Sequence, residues 1–104
     1  MAETYAMKRI ELIVERMAAR RAGRVLQESG VTGYTVLPAL EGYGNGQTWR
    51  RDADISGSSD MVAIVCVTSA EAASAALDNL AQLLAEQIGI VTVNDVQVLR
   101  PERF

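Results

Sequence analysis

The residues of this chain that could do chemistry are mostly glycines, arginines and serines, a set suited to holding anions. Gly42-Tyr43-Gly44 sets two glycines two apart. Without a Cβ, the backbone N–H groups of such a turn can come close to a phosphate. Arg50 and Arg51 follow Trp49 and could clamp a phosphate or carboxylate through charge-assisted hydrogen bonds. Gly57-Ser58-Ser59 could form a small nest of successive N–H groups sized for a small anion. Arg100 and Arg103 could reach a phosphate in an adjoining cleft, and an exposed Trp49 could anchor a docked partner. Each has a plainer reading beside it: loop punctuation for the glycines, solvated patches for the arginines, a frayed tail at the carboxyl end, and a tryptophan folded back onto the body.

Bond-making chemistry is poorly provided for. The 104 residues contain no His, which removes imidazole bases, Ser–His and Cys–His nucleophile pairs and every His metal ligand. The single cysteine, Cys66, excludes an internal disulfide and Cys-pair zinc sites. Set in an apolar run, it reads as a small buried hydrophobe. No activated nucleophile, metal set or acid–base pair can be named, so the expectation is a protein that binds rather than catalyses, with no catalytic residue and no metal. The formal charge of −3, from 10 Lys+Arg against 13 Asp+Glu, lacks the broad basic field that nonspecific nucleic-acid binding uses. No apolar stretch is long enough for a signal peptide or a spanning helix. A free thiol fits a reducing compartment, so a cytoplasmic location is expected.

The elements that position these residues follow from periodicity. Met7 to Glu15 alternates, with Ile10, Leu12 and Val14 on one side and Arg9, Glu11, Ile13 and Glu15 on the other, the pattern of a half-buried strand. From Met17 to Glu28 the residues Ala18, Ala22, Val25 and Leu26 make a helical face, with Arg16, Arg20, Arg21 and Arg24 on the solvated remainder. Gly30 stops this helix in a left-handed conformation. A second strand runs from Tyr34 to Leu40, with Pro38 marking an edge. Residues 41–60 show neither period and read as one long flexible loop, a kind of segment that is functional or disordered when it exceeds about 12–15 residues. Met61 to Thr68 is an apolar strand. Thr68 and Glu71 form a capping box for a helix with a core stripe of Ala73, Leu77, Leu80, Leu84 and Ile88, stopped by Gly89. Ile90 to Leu99 is a last strand, with Asn94-Asp95 as a bulge or turn, closed by Pro101.

The order β-α-β, loop, β-α-β in one domain spanning residues 1–104 predicts the ferredoxin-like α+β arrangement, an antiparallel four-stranded sheet with two helices on one face. Ile13 and the apolar third strand leave more hydrophobic surface than two small helices cover, so an oligomer is expected. Fold does not fix function. RNA recognition on this fold needs aromatic residues on the central strands, and neither central strand carries one.

The sequence resembles the PII signalling proteins. The resemblance rests on Met7-Lys8-Arg9-Ile10, on Gly33-Tyr34-Thr35-Val36 and on Gly42-Tyr43-Gly44 opening a long loop. These match a lysine-bearing start, a G-x-T-V strand and a G-F-G turn in the same order. Ser29-Gly30-Val31-Thr32-Gly33-Tyr34-Thr35-Val36 is similar to the pattern of the PII-like branch associated with carboxysomes and bicarbonate transport. The resemblance runs from Met7 to about Leu99. It implies a homotrimer that binds an adenine nucleotide between subunits, with the long loop, the T-loop, changing shape and docking on a target. By the same resemblance, Ile13 lines the adenine pocket and Thr35 sits beside base or ribose. Gly42, Tyr43 and Gly44 bring backbone donors to the phosphates, and Ala63 and Val65 frame the adenine. The branch further implies bicarbonate, held near Arg50, Arg51 or the Gly57-Ser58-Ser59 nest, and a transporter or carbon-fixation protein as the partner.

One departure bears on the ligand. PII proteins carry a second glycine-rich phosphate loop with a lysine before the last strand, whereas this chain has Gln87-Ile88-Gly89-Ile90-Val91, where Gly89 is the single glycine. Fewer phosphate ligands favour ADP or AMP over tightly held ATP, with a cyclic nucleotide as a further option, and put 2-oxoglutarate sensing in doubt. Two other functions remain open on the same topology: a trimeric scaffold whose loop only tethers a partner, and an amino-acid-binding regulatory domain.

Overall fold

The alternating run Tyr5–Glu15 forms the first strand, β1, in a computed structural model that describes residues 2–44, 46–50, 61–87 and 89–100. Ile10, Leu12 and Val14 are fully buried while the intervening Ile13 stays 37% exposed, the split that a one-sided sheet imposes on a period-two strand. A 3-10 turn at Arg16–Ala18 leads into α1, Ala19–Glu28, which buries Ala22, Gly23 and Leu26. Gly30 ends the helix at φ +102°. Its N–H bonds Gln27 O at 3.1 Å, and the Val31 N–H bonds Leu26 O at 3.0 Å. That is the two-bond motif in which a left-handed residue satisfies the last helical carbonyls, and the left-handed stop read from sequence is present.

The remaining elements are β2 (Thr35–Pro38), β3 (Glu41–Gly44), β4 (Gln47–Arg50), β5 (Met61–Thr68), α2 (Ala70–Leu84) and β6 (Gly89–Val98). The main sheet has the order β2-β5-β1-β6, with every neighbouring pair antiparallel. This is the ferredoxin-like arrangement. β5 alternates strictly, burying Val62, Ile64, Cys66 and Thr68 and leaving Met61, Ala63, Val65 and Val67 half-buried. The buried set of β1 and β5 packs with Ala18, Ala22 and Leu26 of the first helical segment and Ala73, Ala76, Leu80 and Leu83 of α2 in one cluster. Each large side chain in it contributes about 1.5–3 kcal/mol of burial. Asn79 Nδ2 donates to Ser29 Oγ at 2.9 Å and Ser29 Oγ donates to Val25 O at 2.7 Å, tying the end of α1 to α2.

Several local expectations are corrected. The helix at Met17 begins as a 3-10 turn and becomes α-helical at Ala19. The second strand is Thr35–Pro38 alone, at a sheet edge as Pro38 requires. Residues 41–50 are not loop but a two-stranded hairpin, β3 paired with β4. Residues 51–60 lie outside the described residues. The cap of α2 is Ser69, not Thr68: its Oγ accepts from the Ala72 N–H at 3.1 Å, because Thr68 is buried in β5 opposite Lys8. The core face of α2 is Ala73, Ala76, Leu80 and Leu83, with Leu77 and Leu84 only half-buried and Ile88 outside the described residues. Gly89 opens β6 rather than ending α2, which stops at Leu84. No bulge interrupts β6, since Asn94 and Asp95 pair in register with Arg9 and Lys8 and Asp95 takes an ion pair from Lys8. Pro101 is outside the described residues.

Candidate functional site

Residues directly opposite in an antiparallel pair share a face, so the register assembles the uncovered face row by row. Leu37 on β2 opposes Ala63 on β5, Ala63 opposes Ile13 on β1, and Ile13 opposes Ile90 on β6. The next row in the same direction is Thr35, Val65, Glu11 and Thr92. Four residues singled out from sequence, Ile13, Thr35, Ala63 and Val65, therefore come together in two adjacent rows. The first row is apolar and strongly exposed at its ends, with Leu37 at 48% and Ile90 at 57%. The second brings a hydroxyl at Thr35, another at Thr92 and the Glu11 carboxylate. Glu11 is held by Arg9, whose Nη2 lies 3.1 Å from Glu11 Oε2 two residues along the same face. Sequence reading passed over Leu37, Ile90 and Thr92, although the alternation of their strands could have put them on this face once the register was known.

The hairpin begins at the same end of the sheet. Pro38 is the last residue of β2, the Ala39 N–H bonds Met61 O at 3.1 Å, and β3 starts at Glu41. Gly42 opposes Trp49 and Tyr43 opposes Thr48. The indole lies on Gly42: a Cβ there would be 2.7 Å from Trp49 Cζ2, so this glycine seats the ring, and Trp49 packs on its own hairpin. Gly44 has open space where a Cβ would stand. Gly46 has φ +74° at the hairpin tip, the left-handed backbone that glycine adopts without steric cost. Tyr43 is 76% exposed, and Arg50 opposes Glu41 at the hairpin base.

Gly89 lies beside the apolar row. A Cβ on it would meet Ile13 O and Val14 Cγ1 at 2.8 Å, so its bareness lets β6 close onto β1 next to Ile13. Arg100 follows β6 and is exposed. Arg51, Gly57, Ser58, Ser59 and Arg103 lie outside the described residues. A cleft of about 490 Å³ between Lys8, Asp95 and Ala70 is lined by none of these candidates. It sits five residues down β1 from Ile13, roughly 17 Å at about 3.3 Å per residue.

This arrangement can cover a flat apolar group, offer a few polar contacts around it, and associate with another surface. Among the described residues no group of three or more His, Cys, Asp or Glu is placed to hold a metal. Cys66 is buried on the helix-covered side, and burial pushes its thiol up from its ordinary value of 9.0, the reverse of an activated nucleophile. Among the described residues no helix is long and apolar enough to cross a membrane.

A family model for the nitrogen regulatory protein P-II matches residues 7–103. Among solved structures the chain is similar to CPII, a nitrogen regulatory PII-like protein from Thiomonas intermedia bound to ADP, AMP and bicarbonate. The identity is 26% over 100% of this chain and 98% of that one, with a TM-score of 0.89. CPII bound to ADP, AMP and acetate is matched at 26% identity over 98% and 97% of the two chains, with a TM-score of 0.81. A PII-like signalling protein from Thermus thermophilus shares the fold at 23% identity over 100% and 99%, with a TM-score of 0.83. No curated protein matches the sequence.

Proposed function

The chain belongs to the nitrogen regulatory protein P-II family, and from that membership we propose that it is a non-enzymatic regulator that binds an adenine nucleotide, ADP or AMP, together with bicarbonate. The observation that carries this reading is the end-to-end likeness to CPII bound to ADP, AMP and bicarbonate. In this reading the chain is a homotrimer, and the nucleotide lies where the uncovered face of one protomer meets its neighbour. Ile13, Ala63 and Val65 flank the base and Thr35 reaches base or ribose. Backbone donors around Gly44 take the phosphates, Gly42 being committed to the indole of Trp49. Gly89 keeps β6 tight against the pocket floor, and Arg100 adds positive charge. Arg50 contributes to the anion site.

Signalling follows from ordering. Ordering a segment on binding costs roughly 2–5 kcal/mol, which nucleotide contacts must offset before the hairpin of β3 and β4 presents one surface. If bicarbonate binds the same ordered state, each ligand tightens the other by the same factor, on the order of 5–150-fold for typical couplings. The output is a loop offered to or withheld from a transporter or carbon-fixation partner, so that inorganic-carbon uptake or fixation follows nucleotide and bicarbonate levels in the cytoplasm.

A thermal-shift panel of AMP, ADP, ATP and cyclic AMP, each with and without bicarbonate and set against free amino acids, tests the proposal. A nucleotide at about 100 times its Kd adds about 2.7 kcal/mol to stability, so ADP or AMP raises Tm by several degrees and bicarbonate raises it further. A panel in which only an amino acid shifts Tm, or in which nothing does, ends the nucleotide reading. Calorimetry with ADP then reads the coupling as a Kd that falls when bicarbonate is added.

A further inference from the structure

A cationic patch lies on the other side of the molecule. Arg16, Arg20, Arg21 and Arg24 fall within nine residues, and no Asp or Glu occurs between Glu15 and Glu28, in a chain whose net charge is −3. All four arginines are exposed. Arg21 reaches across to the turn that follows α2, its Nη2 3.5 Å from Glu86 Oε2. Arg20 and Arg24, one turn apart on one face of α1, have no ion pair or hydrogen bond among the described residues. Met17, at the start of this face, is 76% exposed.

These charges oppose the helix that carries them. A helix N-terminus disfavours cations, yet Arg20 and Arg21 stand in the first turn of α1, which has no acidic residue there, no side-chain cap and no basic residue in its last turn. Arg20 and Arg24 repel each other at one-turn spacing. α2 follows the opposite rule, with Ser69 as cap and Glu71 in its first turn. Arg20 and Arg24 break local rules without a gain among the described residues, which marks a surface whose compensation lies in a partner.

We propose that this exposed face of α1, centred on Arg20 and Arg24 and extended by Arg16 and Met17, docks an acidic segment of a protein partner that presents carboxylates at one-turn spacing. Guanidinium groups suit this because they bind carboxylates through paired, directed hydrogen bonds. Met17 supplies an apolar contact at the rim. The apolar side of the first helical segment, with Ala18, Ala22 and Leu26, is buried in the core, and the single exposed Met17 is far less apolar surface than a lipid-lying helix needs. An anionic leaflet or a nucleic acid extends its charge past this face onto the acidic remainder of the chain, which a short acidic segment does not meet. The site stands on the helix side of the sheet and is independent of the nucleotide reading.

The test uses the full chain and a labelled helical peptide with glutamate at every fourth position, followed by fluorescence anisotropy. Replacing Arg20→Gln with Arg24→Gln weakens peptide binding by about tenfold or more, the effect of losing a charge-assisted pair, and leaves Tm unchanged or higher. The doubly reversed variant, Arg20→Glu with Arg24→Glu, binds the lysine version of the peptide instead. Undiminished binding by the glutamine variant overturns the proposal. So does equal binding of a scrambled peptide of the same charge, or tighter capture of the unaltered chain by phosphatidylglycerol vesicles or by DNA than by the peptide.

Discussion

The two faces of the four-stranded sheet are built from the same strands, one residue apart, and they behave as different materials. Leu12 is fully buried under the helices, whereas Ile13, its neighbour, is 37% exposed. Along β5 the same apolar vocabulary alternates between buried and half-buried without a break. Parity decides which residues the helices cover. The apolar residues left over on the second face are not needed by the monomer's own core, so that face is free to meet a ligand or another chain.

The largest expected effect sets the faces against each other. Leu12→Ala removes packed atoms and leaves a cavity, lowering the free energy of unfolding by about 2–5 kcal/mol, read by urea denaturation at any protein concentration. Ile13→Ala removes a similar side chain from the uncovered face. It changes the dilute protein's stability by about 0.5 kcal/mol or less, while weakening the nucleotide-induced rise in Tm. Equal losses at the two positions in dilute solution would break the comparison.

Gly89 sharpens it, because there the helix side presses on the site. Gly89→Ala forces a Cβ against Ile13 O and Val14 Cγ1 at 2.8 Å, an overpacking that lowers stability by about 1–3 kcal/mol. Gly44→Ala meets nothing within 4 Å and leaves urea stability unchanged, so any loss of ADP affinity it causes reports on phosphate approach. A smaller effect separates the two helices. Ser69→Ala deletes the one side-chain N-cap on the two α-helices and lowers stability by about 1 kcal/mol, measured by thermal melting.

The ferredoxin-like order was legible because β1, α1 and α2 each carry a clean period, β5 is a short apolar run, and Gly30 announced its stop. What the sequence hid was set by pairing. Thr68 looks like a cap until it is placed in the ladder opposite Lys8, which passes the cap to Ser69. Asn94-Asp95 looks like a turn until β6 is an edge strand whose Asp95 meets Lys8 across the sheet. The hairpin of β3 and β4 was hidden because its described residues bury little, Gly42 and Trp49 being only half-buried and the rest exposed, so no hydrophobic period marks it. In the candidate site, Ile13, Thr35, Ala63 and Val65 were found through family resemblance. Leu37, Ile90 and Thr92 needed the register.

The smallest prediction concerns pH and belongs to the helix-covered face. Burial holds the Cys66 thiol above its ordinary 9.0; a backbone hydrogen bond at Ile10 and the charge of Arg9 pull the other way without cancelling it. Below 9.0 the folded and unfolded chains both keep the proton, and the thiol's contribution to stability is fully present. As the pH climbs past that value the unfolded chain releases its proton first, so the unfolded state is favoured and stability falls until the folded thiol ionises too. Urea denaturation of the unaltered chain and of Cys66→Ala from about pH 8 to about pH 10 isolates this group, since every other ionisable group is common to both. The unaltered chain loses stability more steeply across that window. Parallel lines for the two proteins would mean that the thiol feels no more burial than the face on which Ile13 stands.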